Sequence, residues 1–564
     1  MNNRLYRVVL IILLIGNGLM AQNFVIDRKA EGRLGLVCTG EKSGSAAGLR
    51  ILDQGGNAAD AAVASLLVLS ITRIGAFCIG GEVPFMFYDS KTKKVTVLSG
   101  QGRAPLNPEA IEWYRQHGIP GSSIKAAAVP AVVDLCVTAL KEYGTMSFTE
   151  TVHPALEILD RGGPTWYIDT ADGDTVETGR DWYTDLSVTF HRLVEAEKNT
   201  PGNREQKLQA VTDRFYKGDI ADELERWYIK MGGFLRKVDL EAHRTLIETP
   251  VSVEYRGYTI YKCGPWTQGP YLCQSLRLLE AFNLQDTGIL SAEYIHVVTE
   301  AMKLALADRD EYYGDPLFSD IPLAALLSDD YTLIRMKLIN PLVASYELRP
   351  GDPIAMKSVK KEGRRTPGFG GTTTCCVIDR WGNMVAATPS GLASTAGTGG
   401  TTGITHGTRL VIFNTWKGHP NCIEAGKRPR TTLTPTIVLK EGRPVLAISV
   451  AGGDMQDQVA LQLVLDWIDF GMTVEEAIRN PRFSTGHFIG SFGQDPPRFN
   501  DLRVQSSVKK DIIQRLADKG HSVRITNRGI GGAVMASVDT ASGLLRGAGG
   551  WCGVLMQNSN QKDR

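Results

Sequence analysis

Three consecutive threonines, Thr372-Thr373-Thr374, follow a glycine-rich stretch ending at Gly370-Gly371 and open a run of strand-forming residues that closes at Asp379. If the bond before such a threonine is cut, its freed α-amine stands beside its own hydroxyl. An α-amine titrates at about 7.7–8.0, so it can take up a proton near neutral pH. Nucleophile and base then share one residue, the N-terminal-threonine form of covalent catalysis. The chemistry would be attack on an amide carbonyl. Threonines also favour strands for their own sake, so a second feature is needed. Gly452-Gly453 supplies it. The pair sits where a strand meets a helix N-terminus, so its N–H groups can face a developing oxyanion and its missing Cβ atoms let a carbonyl approach.

The elements that must position these residues can be read from pattern. Thr373–Asp379, the turn Arg380-Trp381-Gly382-Asn383 and Met384–Thr388 read as a hairpin. A second hairpin runs Thr436–Leu439 and Val445–Val450, then passes through the glycine pair into a helix over Asp454–Phe470 that is apolar on most faces. Residues 45–71 read as two helical pieces broken at Gly55-Gly56, 84–100 as a hairpin, 126–243 as mainly helical, 252–262 as strand and 291–313 as a striped helix. The polar segment 167–206 reads as a surface excursion, and 343–371 as a linker. Hairpins covered by buried helices predict stacked α and β layers.

Composition excludes several classes. The 564 residues carry 62 Lys plus Arg against 61 Asp plus Glu, so the net charge is +1. No field for nucleic acid or an anionic membrane results. Residues 1–21 read as a signal peptide: Arg4 and Arg7, a short apolar run Val8–Ile15, then Ala21. The run is too short for a stable membrane span, which predicts a secreted or periplasmic protein beginning near Gln22. The nine cysteines show no CxxC spacing and no zinc-like cluster with histidine. Most read as small buried hydrophobes, with one or two unassigned bridges allowed. No metal or organic cofactor is implied, and GTGGTTG (397–403) lacks dinucleotide spacing.

Long collinear segments carry a resemblance: DQGGNAADAAVA (53–64), IGGEVPFMFYD (79–89), AMKLALADRDEYYGDP (301–316), TTTCCVIDRWGNMVAAT (372–388), KRPRTTLTPTIVLKEGRPVLAISVAGG (427–453) and DFGMTVEEAIRNPRF (469–483). The chain resembles the γ-glutamyltransferases, members of the N-terminal-nucleophile (Ntn) hydrolases. The resemblance implies an α+β fold, a four-layer αββα sandwich formed jointly by a large and a small chain after self-cleavage. It implies a cut between Gly371 and Thr372, counted back from Asp379, giving chains 22–371 and 372–564 that stay together as a heterodimer acting on a small amide. Thr372 would be the nucleophile and, through its amine, the base. Gly452 and Gly453 would form the oxyanion hole, and Ser390 would support the nucleophile. Thr431 and Thr432 align with a serine pair that helps hold a substrate carboxylate.

Departures from the family bear on the substrate. The arginine expected for the α-carboxylate falls at Gln101, with Arg103 nearby but out of register. That change removes a charge and a bidentate fork. The family's Asn becomes Leu392, and the residues that take the α-amino group fall near Thr415 and Gly418. The machinery looks kept and the α-amino-acid grip lost, as in acylase-like branches. The alternatives are a true γ-glutamyl enzyme using Arg103, Arg409 or Arg428, a non-catalytic binding protein on the same scaffold, and a nucleophile at Cys375 exposed by cleavage after Thr374.

Overall fold

The computed structural model describes residues 23–164, 182–358, 371–391 and 397–556, with the backbone of the short strands Tyr167–Asp169 and Thr175–Glu177. The expected signal peptide, the basic part of the linker and Leu392 lie outside the described residues.

A thirteen-stranded antiparallel sheet organises the chain. Its order is Leu246–Glu248, Lys94–Gly100, Val83–Asp89, Met384–Ala387, Cys375–Asp379, Gly35–Thr39, Leu544–Leu555, Gly532–Asp539, Arg443–Ala451, Thr436–Lys440, Tyr258–Lys262 and Val251–Tyr255, with Phe24–Gly32 also on Leu544–Leu555. Alternation along each strand sends side chains to two different cores. Val37, Val377 and Val385 face a helical core with Ala58–Thr72 and Val132–Glu142. Val438, Leu446 and Met535 face a second helical core with Pro270–Leu279, Ala292–Tyr312 and Gln456–Ile468. The intervening residues of both halves, among them Leu36, Cys376, Met384, Ile437, Ala447 and Ala536, share a third core. The two halves of the sheet therefore face each other, each with helices on its outer side. This is the expected αββα order.

The helix Ala58–Thr72 is buried along its whole length, which suits its nearly uninterrupted apolar sequence. Gly55, at φ +95°, breaks it from Lys42–Asp53, as expected. Asn57 caps it, and Asp60 returns a bond to the Asn57 N–H at 2.9 Å. Asp379 holds the same end: its Oδ2 accepts from Ala58 N–H at 2.9 Å and Asn383 Nδ2 at 2.7 Å, while Oδ1 accepts from the Trp381 and Asn383 N–H groups, each at 2.9 Å. One carboxylate thus locks the hairpin turn to the central helix. Asp379→Ala is expected to cost about 3 kcal/mol, since it orphans several buried donors worth about 1 kcal/mol each; a lowered Tm in thermal melts checks this.

One expectation is corrected. Within the supposed surface excursion, helix Trp182–Asn199 packs Tyr183, Leu186, Phe190 and Leu193 fully into the first core. These residues fall at helical spacing, and the intervening charges masked the stripe. All seven free cysteines are buried, as read from sequence. The remaining two, Cys38 and Cys552, form a disulfide between neighbouring strands, with Cα atoms 4.0 Å apart. Among the described residues no helix is long and apolar enough to cross a membrane.

Candidate active site

The hairpin Cys375–Asp379/Met384–Ala387 extends one step further through a bridge between Thr372 and Ser390. Thr373 N–H donates to Pro389 O at 2.9 Å, and Ser390 exchanges backbone bonds with Glu82. Thr372 therefore stands at the mouth of the sheet, half-buried, with Ser390 and then Glu82 beside it. Gly40 lies against the next residue, and a Cβ there would collide with Thr373 Oγ1. The glycine lets two strand ends close on the threonine run.

Ser390 Oγ donates to the carbonyl oxygen of Gly371, the residue just before Thr372. It accepts from Arg409 Nη2 at 2.6 Å, and Arg409 Nε is held by Glu82 Oε1 at 2.7 Å. Glu82, Ser390 and Arg409 are all buried. Burial pushes the Glu82 carboxyl up, and the Arg409 guanidinium pulls it back. The expected support of Thr372 by Ser390 thus takes a different form here: the serine bonds the carbonyl before the nucleophile.

Gly452 (φ +144°) and Gly453 (φ +60°) form the turn into the helix Gln456–Ile468. Both φ values lie in the region that favours glycine. Gln456 joins this turn to the threonine. Its NH2 donates to Val450 O at 3.1 Å and Thr432 O at 2.9 Å, while its oxygen accepts from Gly453 N–H at 3.3 Å. That same amide end lies 3.4 Å from Thr372 Oγ1. Beneath it, the buried Lys262 binds Asp457 Oδ1 at 2.7 Å, Thr436 Oγ1 at 2.8 Å and Thr434 O at 3.0 Å, fixing the helix start on its hairpin. A cavity of about 630 Å³ opens beside the glycines, walled by Met455, Phe488 and Phe492 with Arg498 and Arg503 among its polar residues. It offers an apolar body and a charged end to a bound group.

The structure brings Gly371, Thr372, Ser390, Gly452, Gly453 and Thr432 into one network through Gln456, Glu82 and Arg409. Thr431 lies next to it and receives the Leu433 N–H. The other candidates stand apart: no hydrogen bond among the described residues joins Gln101, Arg103 or Thr415 to Thr372. Among the described residues the buried Gln101 oxygen has no partner, and the Arg103 side chain bonds only the Gly426 carbonyl, at 3.4 Å. Thr415 is half-buried, and Gly418 is exposed at φ +84°. Arg428 is consumed by Asp315, Glu248 and Ser99. Cys375 is fully buried, and burial pushes its thiol up to about 12, which suits packing rather than attack. Sequence reading missed Gln456 and Glu82: Glu82 lies within the segment 79–89 that carries the resemblance but was given no role, and Gln456 sits in no motif, until the strands bring both to Thr372.

A buried trio, His296, Glu300 and His521, has metal-ligand chemistry. Its groups are bonded to one another and to their neighbours, His296 Nδ1 lying 2.8 Å from His521 Nε2 and Glu300 bound by Lys303 and Arg349, while His521 Nδ1 has no partner among the described residues.

Comparison with known proteins gives the same assignment as the geometry. Residues 44–551 match the gamma-glutamyltranspeptidase family. The chain is 30% identical over 546 residues to the glutathione hydrolase proenzyme of Bacillus subtilis (strain 168), covering 92% of this chain and 90% of that protein. It is 28% identical over 561 residues to the acylase ACY 1 proenzyme of Pseudomonas sp. (strain V22), covering 94% of each. The cephalosporin acylase structure from Bacillus halodurans shares the fold, with a TM-score of 0.78 at 24% identity over 93% of this chain and 95% of that one. The chain belongs to the gamma-glutamyltranspeptidase family of Ntn hydrolases, enzymes of the amidohydrolase and acyltransferase kind.

Proposed function

We propose that this protein is a secreted or periplasmic amidohydrolase that cuts itself between Gly371 and Thr372 and then works through an acyl-threonine. The observation that carries the reading is the junction itself: Thr372 Oγ1 next to a Gly371 carbonyl already bonded by a buried serine. In the first step Thr372 Oγ1 attacks the Gly371 carbonyl carbon, the C–N bond breaks, and the hydroxyl proton ends on the nitrogen. The Thr372 amine is then free, and water opens the ester, giving a Gly371 carboxylate and restoring the Thr372 hydroxyl. In turnover the same hydroxyl attacks a substrate amide, its amine passes the proton to the leaving group, and Gly452 and Gly453 face the oxyanion. Water or an amine then takes the acyl group. The relatives' names, glutathione hydrolase and acylase, bracket the substrate class.

Intact-mass measurement on the purified, denatured and reduced protein tests the cut. Fragments of roughly 38 and 21 kDa are expected, from about 110 Da per residue, with the smaller beginning at Thr372. A single chain after long incubation would favour a binding protein.

For the acyl group we favour one without an α-amino-acid head. Gln101 carries no charge, and Arg409 and Arg428 are committed to Glu82 and to Asp315 with Glu248. A γ-glutamyl substrate is the second reading, because Arg103 has no carboxylate partner in its hydrogen bonds. In a panel of amides, simple acyl p-nitroanilides are expected to turn over at least about tenfold faster, by kcat/KM, than γ-glutamyl-p-nitroanilide. The reverse order, lost in Arg103→Ala, would establish the second reading.

A further inference from the structure

Arg409 is neither the nucleophile nor one of the expected oxyanion donors, yet it is buried beside the bond to be cut. A guanidinium has donors and no acceptor, so the 2.6 Å contact from Nη2 makes Ser390 Oγ the acceptor. The single hydroxyl hydrogen must then point elsewhere: the Gly371 carbonyl oxygen accepts it, with the Glu82 carboxylate as a competing neighbour of the same hydroxyl. Glu82 Oε1 holds the same edge of the guanidinium, 2.7 Å from Nε and 2.5 Å from Nη2, which fixes the direction from which Arg409 reaches the serine. Arg409 Nη1 is buried with no partner.

Among the described residues no hydrogen bond joins the glycine pair to the Gly371 carbonyl. Gly453 N–H is already taken by the Gln456 oxygen, so that donor does not serve the Gly371 carbonyl. We infer that Arg409, clamped by Glu82, is a positioning residue for self-cleavage: it aims the Ser390 hydroxyl at the Gly371 carbonyl and places a cation one bond behind the oxyanion formed there. The inference rests on the proposed self-cleavage and assigns that step its own oxyanion site, distinct from the glycine pair. When Thr372 Oγ1 adds to the Gly371 carbon, the carbonyl electrons move to its oxygen, where the Ser390 hydrogen bond meets them. As the C–N bond breaks they return, the nitrogen carries away the proton from Oγ1, and Ser390 and Arg409 are unchanged.

The test is a double-mutant cycle on the first cut, followed on reducing gels with full-length chain freshly made by cell-free synthesis. Ser390→Ala is expected to slow conversion about 100-fold, in the range for loss of one oxyanion donor. Arg409→Lys, whose single Nζ cannot grip Glu82 and aim Ser390 together, is expected to slow it at least about 10-fold. In the Ser390→Ala background, Arg409→Lys should add nothing, because its action runs through the missing hydroxyl. Ser390→Thr should recover most of the rate. Wild-type conversion in Arg409→Lys, or losses that multiply in the double variant, would overturn the inference, since a merely structural ion pair gives independent losses. Thermal melts establish that each variant is folded. Should Arg409→Lys not melt cooperatively, the isosteric Glu82→Gln takes its place in the cycle with the same expectations. Wild-type protein that stays uncut would instead sink the self-cleavage reading itself.

Discussion

Thr372→Ala is expected to leave the protein as one uncut chain with no measurable amidase activity, and with a Tm within a few degrees of the uncut wild-type chain. The side chain lost is small and half-buried at the sheet mouth. Its backbone bridge to Ser390 does not depend on the hydroxyl, so little stability goes with it. The chemistry goes entirely, because one oxygen is proposed to serve both steps. Thr372→Ser separates the roles: it keeps hydroxyl and amine, and loses the methyl that restricts χ1. Slower cutting followed by measurable turnover is expected. Gel analysis and p-nitroanilide release from purified variants measure the two effects. An active uncut Thr372→Ala protein would move the nucleophile elsewhere.

The second large effect is expected at Gly453. Its φ of +60° disfavours any L side chain, and an added Cβ would lie 3.0 Å from Phe492 Cε2. Gly453→Ala must shift the N–H that is proposed to face the substrate carbonyl and that donates to the Gln456 oxygen in the uncut chain. Displacement of an oxyanion donor lowers kcat by about 100- to 1,000-fold. The cut before Thr372 should survive, because the Gly371 carbonyl is bonded by Ser390 and not by the glycine. A protein processed into two fragments yet nearly inactive is therefore the expected phenotype. Equal loss of both steps would show that one oxyanion site serves them both. Kinetics on the purified, fully processed variant decides between these.

Much of this site was legible in sequence because it is local. The threonine run, the turn at 380–383 and the glycine pair each announce themselves within a few residues, through strand formers, turn residues and a strand-to-helix break. The two helices around Gly55-Gly56 were legible for the same reason. What sequence could not give is long-range. Glu82, Ser390 and Arg409 become one unit only when strands from distant parts of the chain are paired, and Arg409 read alone suggested a carboxylate clamp. Gln456 carries no signal of its own on a helix chosen for its apolar faces. The helix Trp182–Asn199 was misread because charged and polar residues interrupt its buried stripe. Gln101 and Thr415 were nominated by alignment with a family pattern and Arg103 by its nearness to that position, and the bonds of this chain do not draw them to Thr372.

The sheet order has a consequence for the life of the molecule after the proposed cut. Five seams among the described residues join a strand from before residue 372 to a strand from after it: Phe24–Gly32 with Leu544–Leu555, Val83–Asp89 with Met384–Ala387, Gly35–Thr39 with Cys375–Asp379, Gly35–Thr39 with Leu544–Leu555, and Tyr258–Lys262 with Thr436–Lys440. Neither piece owns a complete sheet, so each alone would expose several unpaired edges. Cleavage is then a nick in a woven object, and once unwoven by heat the pieces should not find their way back. The Cys38–Cys552 bridge crosses one of these seams, so in an oxidising compartment the nicked molecule remains a single covalent body. Reductant alone would then turn its re-assembly from a one-body problem into a two-body one.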